Sequence, residues 1–260
     1  MSELTRRRVL ASIGGTVAVG LAGCAGTSDD GGTPSPTPMD TEEPTPTTEE
    51  PMPEQANVRI GHFSPDAPNV DVYVGGGDPV LTDVPFGAVS DYLELAPDTY
   101  PVQITAAGDP EAVVFDQDLE VCAADYTVAA AGELAEDGAE FAPLVLEDDT
   151  SDPGDEQARV RVVHLSPDAP AVDVTLAANG DTIFDGVAYR ESGAVTVPAG
   201  DYTLQIRGDT EGNDGDVVAE FDVSVAGGGV YTAVAAGYLT PGDEPTDRAF
   251  DLVVVEDASY

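Results

Sequence analysis

A histidine, a serine and an aspartate lie within five residues of one another at two places in the chain, a combination that could form a nucleophilic site. The two groups are His62, Ser64 and Asp66, and His164, Ser166 and Asp168. Such a site needs a serine that is hydrogen-bonded to a histidine, which a carboxylate orients. In both groups a proline separates the serine from the aspartate, and Ser-Pro-Asp is typical of a turn whose small polar side chains bond the nearby backbone. We therefore interpret the six residues as structural, with each histidine capping its turn, and predict no catalytic residue.

The acidic segment Gly208–Asp216 is a candidate cation site. Counting from Asp209, oxygen-bearing side chains stand at the first, third and fifth positions and Glu220 stands at the twelfth, as in a calcium loop. The glycine that such a loop needs at its sixth position is replaced by Asp214. We favour a hydrated hairpin loop, with weak cation binding as the alternative. The chain has no phosphate, dinucleotide or zinc motif and only two histidines, so no cofactor or metal site is predicted.

These groups belong to a unit that the chain contains twice. The segment His62–Val72 returns as His164–Val174, 102 residues later, and Asp83 aligns with Asp185 at the same spacing. Later matches, at slightly larger spacings, are Tyr126-Thr127 with Tyr231-Thr232, Gly132 with Gly237, and Glu147-Asp148 with Glu256-Asp257. Each copy has the size of a domain, so the chain is predicted to contain two tandem domains.

Apolar and polar residues alternate along short segments of each copy, as in Val70-Asp71-Val72. Such alternation predicts strands with one face in a core and one in water, so Asp71 and Asp173 are expected to point outward. Turn residues separate about seven or eight strands per copy, a pattern typical of an antiparallel immunoglobulin-like β-sandwich. We predict an all-β fold with sandwiches over residues 57–148 and 158–260, joined by an acidic linker over 149–157. A single merged sandwich is the alternative.

The motif His-(Phe/Leu)-Ser-Pro-Asp-Ala-Pro-x-Val-Asp-Val, which occurs at His62 and again at His164, resembles the opening of the domain of unknown function 4397 family. The resemblance covers nearly all of Asn57–Asp257. It implies a β-sandwich module on exported proteins, and it implies no activity and no catalytic residues.

The N-terminus has the features of an export signal. Arg6, Arg7 and Arg8 form a twin-arginine motif, and a mildly apolar stretch follows that is too short to span a membrane. It ends in Leu21-Ala22-Gly23-Cys24, which resembles the lipobox of exported lipoproteins, in which the cysteine carries the lipid. We predict a signal peptide over residues 1–23 and lipid attachment at Cys24. An uncleaved anchor helix is the alternative.

Residues 24–56 are rich in threonine, proline and acids and show no apolar periodicity, so a disordered linker is predicted. Alternating Thr-Pro keeps such a chain extended at about 3.1 Å per residue, enough to hold the body up to roughly 90 Å from the membrane. The second cysteine of the chain, Cys122, follows an apolar strand, and we expect a buried, inert thiol without a partner.

The chain carries 50 carboxylates and nine arginines, with no lysine, for a net charge of −41. Binding of nucleic acid or of an anionic membrane surface needs a basic face, so both are excluded. At 1 M salt the Debye length falls to about 3 Å, so high salt would screen most of the repulsion among these charges. The acidity therefore indicates adaptation to high salt. Together with the signal, the lipobox and the linker, it resembles haloarchaeal envelope lipoproteins.

These features predict a non-enzymatic lipoprotein, anchored through Cys24 to the extracellular face of the cytoplasmic membrane. Its tandem sandwiches would bind an envelope protein or glycan, or serve the structure of the envelope. One alternative is an envelope hydrolase that uses the histidine, serine and aspartate of the two motifs. Another is a solute-capturing lipoprotein, although that class normally needs two α/β lobes around a cleft.

Overall fold

The structure is a computed structural model and describes residues 55–260. It contains sixteen β-strands and a single 3₁₀ turn at Pro241–Asp243. Among the described residues, no helix has the length and apolar character needed to cross a bilayer. The predictions for Arg6, Arg7, Arg8, Cys24, the signal peptide and almost all of the linker lie outside the described residues.

The first repeat folds into two four-stranded sheets. The inner sheet has the order β4-β1-β7-β8, and the outer sheet has the order β3-β2-β5-β6. The strands are β1 (Ala56–His62), β2 (Val70–Val74), β3 (Leu81–Val84), β4 (Leu93–Leu95), β5 (Asp98–Ala106), β6 (Asp109–Val121), β7 (Asp125–Ala131) and β8 (Ala142–Glu147). Val58 and Ile60 of the inner sheet pack against Val70, Val72 and Ile104 of the outer sheet, which forms a sandwich core.

The second repeat has the same architecture, with an inner sheet β12-β9-β15-β16 and an outer sheet β11-β10-β13-β14. Its strands are β9 (Gln157–Leu165), β10 (Val172–Leu176), β11 (Thr182–Val187), β12 (Ser192–Pro198), β13 (Gly200–Gly208), β14 (Val217–Val225), β15 (Gly229–Ala236) and β16 (Asp251–Ser259). Val172, Val174 and Ile206 contribute to its core. The predicted all-β fold with two tandem sandwiches is confirmed.

Strand direction differs from the sequence-based prediction at one place in each sandwich. β1 pairs with β7 in parallel, and β9 pairs with β15 in parallel, whereas all other strand pairs are antiparallel. The strands of each parallel pair are far apart in sequence, so no hairpin turn between them sets their direction.

The two inner sheets also pack on each other, and this contact forms a further apolar cluster. Phe63 and Ala129 of the first repeat meet Leu165, Val234 and Ala236 of the second. The two repeats accordingly belong to one compact unit. β1, β7 and β15 are therefore buried on both faces, and the expectation that one face of every strand lies in water is wrong for them.

Gly61 shows how tightly this contact is packed. A Cβ atom at this position would lie 2.3 Å from the Phe63 ring, so the ring can cover the strand only because residue 61 has no side chain. Val163 stands at the matching position of the second repeat and is itself part of the cluster between the inner sheets.

Candidate functional site

The two histidines of the repeated motif lie at the ends of β1 and β9, and both are buried. His62 Nε2 lies 3.0 Å from the carbonyl oxygen of Pro68, and His164 Nε2 lies 3.0 Å from that of Pro170. A carbonyl oxygen can only accept, so Nε2 carries the proton in both rings. Burial lowers the pKa of His62 to about 4 and also lowers the pKa of His164. Both imidazoles are thus neutral near pH 7, and each ties the end of a strand to the turn that follows it.

The serines of the motif donate to the aspartates and make no side-chain bond to the histidines. Ser64 Oγ lies 3.2 Å from Asp66 Oδ1, and Ser166 Oγ lies 3.2 Å from Asp168 Oδ1 and 2.6 Å from the Gly237 carbonyl oxygen. A nucleophilic triad needs a bond between the serine hydroxyl and the histidine, and among residues 55–260 neither motif has one. Ser166 bonds His164 only through its backbone N–H, which lies 3.4 Å from Nδ1. The geometry is that of a turn with internally bonded side chains.

The aspartates of the motif fasten a distant loop to the turn. Asp66 accepts hydrogen bonds from the backbone N–H groups of Leu134 and Ala135, and Asp168 accepts them from those of Leu239 and Thr240. Burial acts to raise the pKa of Asp168, but these bonds outweigh it and hold that pKa below its ordinary value. Each motif therefore joins the first strand of its inner sheet (β1 or β9) to the loop that follows the third strand of that sheet in chain order (β7 or β15).

Asp71 and Asp173 are buried, which corrects the expectation that they point into water. Asp71 accepts from the backbone N–H groups of Asp83 (2.8 Å) and Gly108 (2.9 Å). Asp173 likewise accepts from those of Gly186 (2.9 Å) and Thr210 (3.2 Å). Alternation placed both side chains outside the sandwich core correctly. However, an irregular edge strand (β3 or β11) and the loop after β5 or β13 use the carboxylates to satisfy their backbone donors.

These bonds also correct the alignment of the repeats. Asp83 and Gly186 both donate to the buried aspartate and both have a left-handed backbone, with φ of 53° and 62°. Gly186, and not Asp185, is therefore the structural counterpart of Asp83, and Asp185 matches Thr82.

A carboxylate cluster is present in the second repeat, where Asp173, Asp185 and Asp209 bring one oxygen each to within 4.8 Å of one another. Asp185 and Asp209 are exposed, and Asp209 has Ala107 as its counterpart, so the first repeat lacks the cluster. With its amide nitrogen toward the carboxylates, Asn213 donates to Asp185 Oδ1 (2.7 Å) and Asp173 Oδ2 (3.3 Å). The amide N–H groups thus face carboxylate oxygens that could otherwise coordinate a hard cation.

The calcium-loop pattern in the sequence located this cluster only in part. It included Asp209, but Glu220 lies on β14 and accepts from the Gln205 amide at 2.6 Å, outside the cluster. Asn213 stands at the fifth position of the predicted loop and was therefore included. Asp185 was missed, because a different hairpin supplies it and nothing in the local sequence signals it.

A buried ionic network joins the two repeats, and no motif in the sequence predicts it. Arg59 donates through Nε to Thr127 (2.8 Å) and through Nη2 to Asp257 Oδ1 of the other repeat (2.5 Å). Its counterpart Arg161 donates through Nη2 to Asp148 Oδ1, also across the repeats, at 2.5 Å. We call Arg59, Thr127 and Asp148 with Arg161, Thr232 and Asp257 the inter-repeat network. The side chain of Arg59 is only 2% exposed, so its partners in the network offset the free-energy cost of burying its charge.

Cys122 follows β6 and is half-buried, and it is not a free thiol. The expectation of a buried thiol without a partner is therefore wrong.

Three solved structures are weakly similar to this chain. The Bacillus anthracis TIE protein is 11% identical over 71% of this chain and 34% of that chain, with a TM-score of 0.23. A family 26 carbohydrate-binding module of Eubacterium rectale Amy13K, solved with maltoheptaose, is 13% identical over 78% of this chain and 97% of that chain, with a TM-score of 0.25. A putative cell adhesion protein from Bacteroides fragilis is 8% identical over 79% and 98%, with a TM-score of 0.21. This chain spans about a third of the length of the first, and none of these scores supports an argument about function.

No curated protein matches the chain. A family model does match it twice, over residues 56–175 and 174–260, and this family is described as a domain of unknown function (DUF4397). The boundary between the two matches falls at the end of β10, whereas the structural boundary precedes β9. Because the matches together cover most of the chain, the protein belongs to the DUF4397 family and carries two copies of its domain.

Proposed function

We propose that this protein is a lipid-anchored surface protein that presents two joined β-sandwiches for non-enzymatic binding of envelope components or for envelope structure. The order of Arg6, Arg7 and Arg8, a short apolar stretch and Cys24 supports export followed by lipid anchoring. The Thr- and Pro-rich linker supports a role in holding the body away from the membrane.

One observation carries the non-enzymatic part of the proposal. The side chains that could have formed a catalytic site are kept in both repeats and are bonded internally, with the histidines and serines buried and the aspartates partly buried. His62 bonds the backbone of its own turn, Ser64 bonds Asp66, and Asp66 holds a loop of the same repeat. These bonds within the fold account for the presence of the same residues in both repeats, so their repetition does not by itself support a role toward a substrate.

The anchoring can be tested by changing Cys24→Ser in the full-length protein, expressed in a host that grows in high salt. We expect the wild type in the membrane fraction and the variant in the soluble fraction, with a mass shift for a lipid on the wild type alone. Cys122→Ser is the matched control and should stay in the membrane fraction. Intact-mass data showing Cys24 without lipid, either unprocessed or in a disulfide, would contradict the proposal.

The hydrolase alternative calls for a separate assay. Wild type and the double variant Ser64→Ala, Ser166→Ala are compared on a panel of esters and glycans in molar KCl, with the exposed Ser224→Ala as control. We expect no turnover above background in any of the three proteins. Turnover by the wild type and the control that disappears in the double variant would establish the hydrolase and overturn the proposal.

A further inference from the structure

The contact between the two inner sheets has the geometry of a two-fold symmetric interface. In the inter-repeat network, each arginine donates to the threonine of its own repeat, and each threonine donates to the aspartate of its own repeat at 2.7 Å. Each arginine then reaches the aspartate of the other repeat. The same surface of both units thus meets itself, as in an isologous dimer interface.

Arginine is concentrated at this interface. Only six arginines follow the N-terminal motif, and the chain has no lysine. Four of the six, Arg59, Arg161, Arg190 and Arg248, bond across the repeats. In a chain with a net charge of −41, most of the positive charge of the body is therefore used to hold one repeat against the other.

Two of these arginines break the symmetry. Arg248 Nη1 donates to the carbonyl oxygens of Pro65 (3.1 Å) and Ala67 (2.8 Å), and Arg248 Cζ lies 4.9 Å from the centroid of the Phe86 ring. Its counterpart is Ala139, because the two residues accept the same backbone hydrogen bond in their respective repeats. Arg248 therefore has no equivalent in the first repeat.

Arg190 is asymmetric in the same way. It donates to the carbonyl oxygens of Ala142 (3.0 Å) and Pro143 (3.2 Å) in the first repeat. Its counterpart is Gly87, which has a similar left-handed backbone and donates the matching backbone hydrogen bond. The face of the second repeat thus carries two more positive charges than the face of the first.

Glu133 and Tyr238 break the symmetry near its axis. They follow Gly132 and Gly237 and so occupy the same position of the two repeats, and they bond each other, with Tyr238 Oη 2.7 Å from Glu133 Oε1. Tyr238 is fully buried and Glu133 is 9% exposed. Pairing of two first repeats would bring two buried glutamates together, and pairing of two second repeats would oppose two tyrosines without a carboxylate to accept from them.

We infer that the inner-sheet face of each repeat is a recognition surface for the other repeat, and that Glu133, Tyr238, Arg190 and Arg248 restrict it to unlike pairs. The face of the first repeat, with its buried Glu133, complements the arginine-rich face of the second. This pairing holds the body together independently of the covalent joint and is separate from the anchoring and binding roles proposed above.

The inference is tested by cutting the joint after the full chain has folded. A specific protease site is inserted between Ser151 and Asp152, which are both exposed, and the protein is folded and then cut in molar KCl. We expect the two halves to elute together as a one-to-one complex. Separation of the cut protein into single repeats would overturn the inference.

Selectivity is measured by exchange. Cut protein with an affinity tag on the first repeat is mixed with untagged cut protein, and the tagged repeat is recovered after exchange. We expect it to retain only second repeats. Recovery of untagged first repeats in a statistical share would overturn the proposed restriction to unlike pairs.

Two variants separate recognition from general stability. Tyr238→Glu places two carboxylates opposite each other and should weaken the complex of the cut halves at least about tenfold, whereas Tyr73→Glu, the same change on the outer sheet, should not. Glu133→Gln keeps an oxygen that can accept from Tyr238 but gives up the acceptor for the Ala139 N–H, so the unlike pair should persist with some loss of affinity while pairs of first repeats become detectable. Equal weakening by Tyr238→Glu and Tyr73→Glu would refute the assignment. If Tyr238→Glu does not fold, the result with Glu133→Gln decides, and an unchanged exchange pattern there would refute it.

Discussion

The buried imidazole of His62 should make the stability of the protein depend on pH between about 7.5 and 5. Burial lowers the pKa of His62 from the ordinary value of 6.5 to about 4. The proton on Nε2 is donated to the Pro68 carbonyl oxygen, and Nδ1 is buried and has no hydrogen-bond partner within the described residues. The main cause of the low pKa is that burial removes water from the charged ring, and a second proton would also create an N–H group at Nδ1 with no acceptor.

The sign and size of the effect follow from linkage. The folded pKa lies below the unfolded one, so the contribution to stability is complete above pH 6.5 and is lost as the pH falls toward 4. The full shift corresponds to about 3 kcal/mol of unfolding free energy, of which about 2 kcal/mol is already lost at pH 5. Measurements should stop near pH 5, because the sequence pI of about 4.1 makes the protein prone to precipitate below it.

The assay compares the wild type with His62→Gln, whose amide can donate to Pro68 but cannot titrate. Urea unfolding in molar KCl at several pH values should show the wild type losing about 2 kcal/mol more than the variant between pH 7.5 and 5. His164→Gln is the equivalent variant in the second repeat and should also reduce the pH dependence of the unfolding free energy. Because the chain has only two histidines, NMR titration can follow each imidazole separately. A His62 pKa near 6.5, or a stability difference that does not change with pH, would refute the reasoning.

Three further predictions concern the buried ion pair, the carboxylate cluster and salt. Asp257→Leu should lower the unfolding free energy by about 3 kcal/mol, because it leaves the Arg59 guanidinium buried without its nearest carboxylate. The double variant with Arg59→Met should have an unfolding free energy close to that of the wild type. Urea unfolding measures both variants, and equal losses of stability in the two would contradict this prediction. Asn213→Asp should lower the unfolding free energy by about 1–2 kcal/mol, because a fourth carboxylate replaces an amide donor. Calcium should not raise the melting temperature of the wild type at fixed ionic strength. A rise in melting temperature that Asp185→Asn removes would contradict this. The melting temperature should rise from dilute buffer to molar KCl, and by the same amount in NaCl of equal ionic strength, because both salts screen the repulsion between carboxylates. A marked difference between the two salts would contradict this and indicate specific ion binding.

The sequence by itself determined the duplication, the strand count and the sandwich architecture. These properties are local or repetitive: alternation with a period of two marks a strand, and Gly, Pro and Asp mark the turns between strands. The turn at Ser64-Pro65-Asp66 was also identifiable, because proline fixes its own backbone and short polar side chains bond neighbouring N–H groups.

Only the tertiary structure decided what covers each strand face. Alternation placed Arg59 on the opposite side of β1 from Val58 and Ile60, but it could not tell whether that side meets water or another sheet. Burial of this side depends on residues such as Asp257, about 200 positions away, and no local pattern records such a contact. Three other features also depend on residues from separate segments of the chain. They are the parallel pairing of β1 with β7, the bonding of the buried Asp71 by β3 and by the loop after β5, and the entry of Asp185 into the carboxylate cluster. A period of two fixes which side chains share a face, whereas the three-dimensional packing of distant segments fixes the environment of that face.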